Sequence, residues 1–156
     1  MKIGIVGCGA MGCVYAGLLS EAGHEVWAID QWQDHVDAIR QHGLHLAGAS
    51  GNRTLRINAT TSPAEAGPCD LVVLATKAMH VPAAAQGMSP LIGEDTHVIS
   101  IQNGLGGPDA AARELGDTPV IVGVAGGFGA SVRSPGAARP NGMELIRFGN
   151  RGGPVT

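Results

Sequence analysis

Three glycines, Gly7, Gly9 and Gly12, punctuate the stretch KIGIVGCGAMG. They sit between an apolar, β-branched run and a segment of small helix-forming residues, and in that setting the G-x-G-x-x-G spacing gives each a separate task. The first permits a tight turn, the second lets a diphosphate approach the backbone, and the third lets a helix pack closely on a strand. The helix that starts near Ala10 supplies the attraction, because its unsatisfied N–H groups and the positive end of its dipole face the anion. Cys8, Ala10 and Met11 complete the loop. Asp30 ends the next apolar run, EVWAI, where a carboxylate accepts hydrogen bonds from a ribose hydroxyl. Two plainer readings stand beside these: a glycine turn used only for packing, and an Asp30 that caps the helix beginning near Trp32 or Gln33.

Asp30 also bears on which dinucleotide is held. A ribose 2′-phosphate is anionic, and two unit charges 4 Å apart near a surface repel by roughly 4 kcal/mol at an effective dielectric of 20. The neighbouring Gln31 is neutral, so the pair favours NADH over NADPH; Arg40, Arg53 and Arg56 are the cations able to reverse that by swinging over the site. Lys77 follows the run DLVVLA, and Gln102 and Asn103 follow HVISI. In an open parallel sheet the carboxyl ends of the strands share one rim, so Lys77 and Asn103 are expected to face the same crevice as Gly9. There a lysine hydrogen-bonds cofactor hydroxyls or steadies an anionic substrate, and an amide holds a ribose or substrate oxygen. The alternatives are a solvated loop for Lys77 and a simple Asn-Gly turn for Asn103.

The elements that must position these groups follow from the pattern of apolar runs. KIGIV, EVWAI, DLVVLA, HVISI and PVIVGV recur with helical segments between several of them, which is the signature of a Rossmann-like, doubly wound α/β domain with a mainly parallel sheet. The first helix is expected from Ala10 to Gly23, burying one stripe of Met11, Val14, Tyr15, Leu18 and Leu19. A second runs from Gln33 to His42 and stops at Gly43. GLHLAGASGNRTLRINA reads as a hairpin excursion before the sheet resumes at Asp70. From Gly123 onward the helical period vanishes, and Pro-Gly and Asn-Gly turns separate short terminal antiparallel strands. Residues 1–149 form the expected dinucleotide-binding domain, and 150–156 a linker-like tail.

Composition narrows the function classes. The chain has 156 residues, a formal net charge of −3 and only 3% aromatic residues, which argues against a nucleic-acid groove of cations and stacking rings. The amino-terminal apolar run passes straight into glycines and is too short for an export signal or a membrane span. Three scattered cysteines without a CxxC pair fit a reduced, cytoplasmic chain. No metal site is expected: His42 and His45 straddle a helix end with no third ligand, and His80 and His97 stand alone. Cys8, at a helix start, is either a reactive thiol or a small residue that fits the turn.

Taken together, KIGIVGCGAMG, the lysine of ATKA, IQNGLG and the late stretch GASVRSPGAARPNGMELIRFG resemble the ketopantoate reductase family, the 2-dehydropantoate 2-reductases. The resemblance implies hydride transfer from a reduced nicotinamide cofactor, usually NADPH, to the ketone of 2-dehydropantoate, giving pantoate on the way to pantothenate. It implies that Gly7 to Gly12 hold diphosphate, that Lys77 contacts cofactor, that Asn103 contacts cofactor and substrate, and that Ala130 borders the nicotinamide. Two features depart from it. Asp30-Gln31 stands where NADPH-using members often carry a basic residue. Members also continue into a helical carboxyl-terminal domain bearing the proton-donating lysine, before which this chain ends. An alkoxide formed by hydride addition needs an acid beside it, and Lys77 is the nearest candidate. A separate helical domain or a homo-oligomer is then the expected partner. Other readings are a stand-alone NAD(H)-binding sensor or scaffold, and a reductase of another 2-oxo or 3-hydroxy acid.

Overall fold

A computed structural model describes residues 1–142 and 144–151. In chain order the elements are β1 (Lys2–Val6), α1 (Ala10–Glu21), β2 (Glu25–Ile29), α2 (Gln33–His42), β3 (Leu44–Gly48), β4 (Gly51–Leu55), β5 (Asn58–Thr60), α3 (Pro63–Ala66), β6 (Leu71–Leu74), α4 (Val81–Gly87), β7 (His97–Ser100), α5 (Gly107–Leu115), β8 (Val120–Gly126), β9 (Gly129–Ser134), β10 (Ala137–Gly142) and β11 (Leu145–Asn150). Seven strands form one sheet in the order β11-β8-β7-β6-β1-β2-β5. All neighbours in it run parallel except β11, which is antiparallel to β8. With β5 counted as the third strand, this is the Rossmann order, and the chain reverses direction across the sheet between β1 and β6. The central runs are apolar on both faces because both are covered, with Ile3, Ile5, Val72, Leu74 and Val98 all buried.

Four further strands make a second sheet, β4-β3-β10-β9. The expected hairpin is its first half, since β3 and β4 pair antiparallel. The terminal strands divide: β9 and β10 pair antiparallel and join this sheet through a parallel β10–β3 contact, whereas β11 closes the large sheet.

This second layer corrects the expected single stripe on α1. The helix packs against β1 and β2 on one side and β3, β9 and β10 on the other, so every residue from Gly12 to Gly17 is buried while Met11, Leu18 and Leu19 are only partly so. A helix enclosed on both sides carries no polar stripe, and small residues let the layers approach. A Cβ on Gly17 would stand 2.4 Å from Leu46 Cδ1, and one on Gly12 only 2.2 Å from the Gly7 carbonyl oxygen. The helix ends at Glu21, before Gly23.

The large sheet also resumes earlier than Asp70. β5 pairs with β2, and its backbone takes hydrogen bonds from Asp30 N–H to Thr60 O (3.2 Å) and from Arg40 Nε to Ala59 O (2.6 Å). Three residues beginning with an exposed asparagine carry no periodic signal. α2 spans the expected residues, burying His35, Val36 and Ile39 and stopping at Gly43 with φ 87°. At the other end, Asn150 belongs to β11 and Arg151 pairs with Asp109 at 3.1 Å; residues 152–156 of the expected tail lie outside the described residues. Among the described residues no helix is long and apolar enough to cross a membrane.

The tight crossing of α1 over the turn before it yields a stability prediction. The Gly7 carbonyl is backbone and cannot swing aside, so Gly12→Ala should lower unfolding free energy by about 1–3 kcal/mol. Urea titration reads this as a reduced midpoint at unchanged slope; an unshifted midpoint would contradict the close approach.

Candidate functional site

The crevice at the carboxyl ends of β1 and β6 is built by backbone contacts. Gly7 takes φ 87° and donates its N–H to Ile29 O at 2.9 Å, while Ala75 N–H reaches Val6 O at 2.8 Å. A side chain on Gly7 would put its Cβ 2.8 Å from the Thr76 nitrogen, so the turn after β1 lies directly on the segment after β6. At Gly9, by contrast, an added Cβ would meet nothing within 4 Å. That position faces open space at the amino end of α1, where no side chain caps the helix and no acidic residue stands in the first turn. The first intrahelical bond is from Cys13 N–H to Gly9 O at 2.9 Å, so the amides just before Cys13 have no partner inside the helix and point their positive ends outward. The geometry is that of an anion cradle.

Asp30 follows β2 and stands beside this turn through the Val6–Ile29 pairing. One carboxylate oxygen, Oδ1, accepts the Trp32 N–H at 2.9 Å, so the residue does brace the entry to α2. Oδ2 has no hydrogen-bond partner among the described residues. The three arginines considered for this corner are held elsewhere. Arg40 pairs with Glu65 at 2.6 Å, Arg53 grips both carboxylate oxygens of Glu21 through Nε and Nη2, and Arg56 donates to Gln41 O at 3.2 Å. Arg53 holds the Glu21 carboxyl below its usual range.

A cavity of about 280 Å³ opens next to the cradle, between the first turns of α1 and the loops after β6 and β7. It gathers Met11, Lys77 and Asn103 in its wall. Both Lys77 and Asn103 are exposed, and the Lys77 ammonium makes no ion pair among the described residues. Gln102 also lines the space, but its amide is committed: Nε2 donates to Leu74 O at 2.6 Å and Oε1 accepts from Ser100 Oγ at 2.5 Å, tying β6 to β7 and setting the loop that carries Asn103.

Thr76, Tyr15 and Phe128 also line the cavity, and residue type and spacing do not mark them as site residues. Thr76 carries a buried hydroxyl with no hydrogen-bond partner among the described residues, an unmet demand that a bound polar group would satisfy. Tyr15 and Phe128 form an aromatic wall with ring centroids 6.3 Å apart, and burial pushes the Tyr15 phenol upward. Phe128, one of two phenylalanines in the chain, stands in the cavity wall, and Ala130 lies on β9 opposite Pro140, outside the lining. Gly7, Cys8, Gly9, Ala10, Gly12 and Asp30 lie outside its lining. The Cys8 side chain turns away into the core, 1% exposed. His45 binds Thr54 Oγ1 at 3.1 Å on the β3–β4 hairpin.

Comparison with known proteins follows the same outline. The family model described as ketopantoate reductase PanE/ApbA matches residues 3–153. A 2-dehydropantoate 2-reductase of Streptococcus pyogenes is 32% identical over 148 residues, which cover 95% of this chain and 48% of that protein. The crystal structure of a PanE/ApbA family ketopantoate reductase from Ralstonia eutropha superposes with a TM-score of 0.88 at 33% identity, over 95% of this chain and 49% of that one. A ternary structure of D-mandelate dehydrogenase with NADH and anilino(oxo)acetate gives a TM-score of 0.83 at 29% identity, over 95% and 47%. The chain thus spans about half the length of the relatives it matches. Its sheet order, glycine turn and nearly complete match to the family model place it in the ketopantoate reductase PanE/ApbA family.

Proposed function

We propose that residues 1–149 are the dinucleotide-binding half of an oxidoreductase that reduces the ketone of 2-dehydropantoate to pantoate, a step of pantothenate biosynthesis. The observation that carries this reading is the uncapped amino end of α1, open at Gly9 and placed at the reversal of the sheet beside a cavity holding Lys77 and Asn103. The bound cofactor supplies hydride to the carbonyl carbon. The rest is done by the chain's own groups. Amides from Gly9 to Met11 bind diphosphate without a cation, and the Asp30 carboxylate accepts from a ribose hydroxyl. Thr76 Oγ1 and the Asn103 amide orient the ligand's polar atoms, while Tyr15 and Phe128 keep one side of the cavity apolar. Lys77 supplies the positive charge that steadies a substrate carboxylate or the oxygen that becomes an alkoxide.

No residue of this chain is assigned as the proton donor. Relatives about twice as long carry a second half, and Val124, Leu145 and Phe148, 59%, 46% and 56% exposed on the β8–β11 edge, offer the apolar surface that such a half, or a second copy, covers. A second reading, another 2-oxo acid as substrate, draws on the D-mandelate dehydrogenase that holds anilino(oxo)acetate on the same fold. Three free thiols suit a reducing, cytoplasmic setting.

NADH is the preferred cofactor in this proposal, because Asp30 stands beside the ribose position and the candidate arginines are engaged elsewhere. Titrating both cofactors should therefore show tighter binding of NADH, and Asp30→Ala should shrink the NADH-to-NADPH affinity ratio about tenfold. Tighter NADPH binding by the unmodified chain would refute this role for Asp30. Gly9→Val gives a cleaner separation of binding from folding, since its side chain enters open space. NADH affinity should fall at least about 30-fold, some 2 kcal/mol, with the urea midpoint unmoved; retained affinity would refute the cradle.

A further inference from the structure

Beneath the glycine turn, away from the cavity, three chemically capable side chains pack against one another. Cys8 and Cys13 are 1% and 0% exposed, with their sulfurs 3.8 Å apart. The Cys13 sulfur lies 3.3 Å from His35 Nε2 and 3.2 Å from the Cys8 carbonyl oxygen. His35, wholly buried, stacks on Trp32 at 5.1 Å between centroids. Its Nδ1 accepts the Gly136 N–H at 3.1 Å.

That last contact decides the chemistry of the cluster. A ring nitrogen that accepts a hydrogen bond carries no proton, so the neutral imidazole keeps its proton on Nε2, aimed at the Cys13 sulfur. Two thiols and an imidazole within 4.8 Å of one another are otherwise a ligand set for a soft cation, but this tautomer leaves Nε2 no lone pair to give. The same N–H favours a thiolate at Cys13. With the hydrogen bond from Cys8 as the larger influence and His35 adding to it, the Cys13 thiol is lowered to about 6 in spite of its burial. Cys8 is pushed upward by the same hydrogen bond and by burial. The same contacts thus draw Cys13 toward the thiolate and hold Cys8 toward the protonated thiol, with the two sulfurs facing each other.

We propose that Cys8 and Cys13 are an oxidisable pair that closes to a disulfide under hydrogen peroxide, and that closure deforms the glycine turn and weakens dinucleotide binding. The second clause rests on the function proposed above. In the first step the Cys13 thiolate attacks one peroxide oxygen, the O–O bond breaks, and the departing hydroxide takes up a proton to become water, leaving a sulfenic acid. In the second, the Cys8 sulfur attacks the Cys13 sulfur, the S–O bond breaks, and water leaves with the Cys8 proton. Two thiols lose two electrons and one peroxide becomes two waters. The bonded sulfurs sit about 2.05 Å apart, so the contact must close by nearly half. Cys8 is flanked directly by Gly7 and Gly9, and its displacement moves the amides of the cradle. Bound dinucleotide in turn opposes closure by the same factor by which the disulfide weakens binding.

The test treats the full chain with hydrogen peroxide, then unfolds it and alkylates it with N-ethylmaleimide. Before alkylation the intact mass should fall by about 2 Da, and the alkylatable thiols should drop from the three free cysteines to Cys69 alone. NADH affinity should fall at least about tenfold and return with dithiothreitol, and Cys13→Ala should abolish both the mass loss and the response to peroxide. Oxygen added to one sulfur without cross-linking, three thiols still alkylated, or zinc retained on the isolated chain in native mass spectra would each overturn the pairing. A disulfide that forms without changing NADH affinity overturns only the link to binding, and an untreated chain that binds no NADH overturns the function instead.

Discussion

The arrangement depends on three stretches of backbone that meet closely at two glycines. Gly7 rests against the Thr76 nitrogen, and Gly12 against the Gly7 carbonyl, at separations where a Cβ would stand 2.8 and 2.2 Å from the facing atom. Hydrogen bonds on either side, Gly7 to Ile29 and Ala75 to Val6, lock the ends of β1, β2 and β6 into one rim. From this contact follow the direction of α1, the place of Asp30 at the neighbouring strand end, and the meeting of Met11, Lys77 and Asn103 around one cavity. A methyl group at either glycine would pry apart elements that contribute separately to the site.

The second sheet gives this contact its support. α1 is clamped between the parallel sheet and the β4-β3-β10-β9 layer, so the helix whose uncapped amino end opens at Gly9 is held from both sides. One core cluster joins Ile3 and Ile5 of β1, Tyr15 and Ala16 of α1, Leu44 and Leu46 of β3 and Ala138 of β10. The other lies on the far face of the large sheet, with Val72, Leu74, Met88, Leu91 and Val98. The helix amino end is therefore placed before any ligand arrives, which lowers the ordering cost of binding.

Legibility in the sequence tracked how local each feature is. The parallel strands, the bounds of α2 and the different demands on Gly7, Gly9 and Gly12 follow from residue type and spacing over a few positions. β5 did not show itself, because three residues with one exposed asparagine form no apolar run. The full burial of α1 was hidden for a tertiary reason: the strands that cover its outer face lie both just after it and more than a hundred residues later, and nothing within the helix reports them. The same holds for the cavity. Lys77 and Asn103 follow from the rule that strand ends share a rim, whereas the presence of Phe128 in the wall depends on how the chain turns between β8 and β9. Cys8 drew notice alone; its partners Cys13 and His35 become visible only once α2 packs and Gly136 closes on the ring.

Amide chemical shifts recorded while NADH is titrated into the uniformly 15N-labelled chain test the central claim most directly. The largest perturbations should fall on Gly9, Ala10 and Met11, where unpartnered N–H groups meet the diphosphate, with smaller ones at Asp30 and Thr76. Unperturbed amides across that turn, with the shifts gathered at another surface, would contradict it.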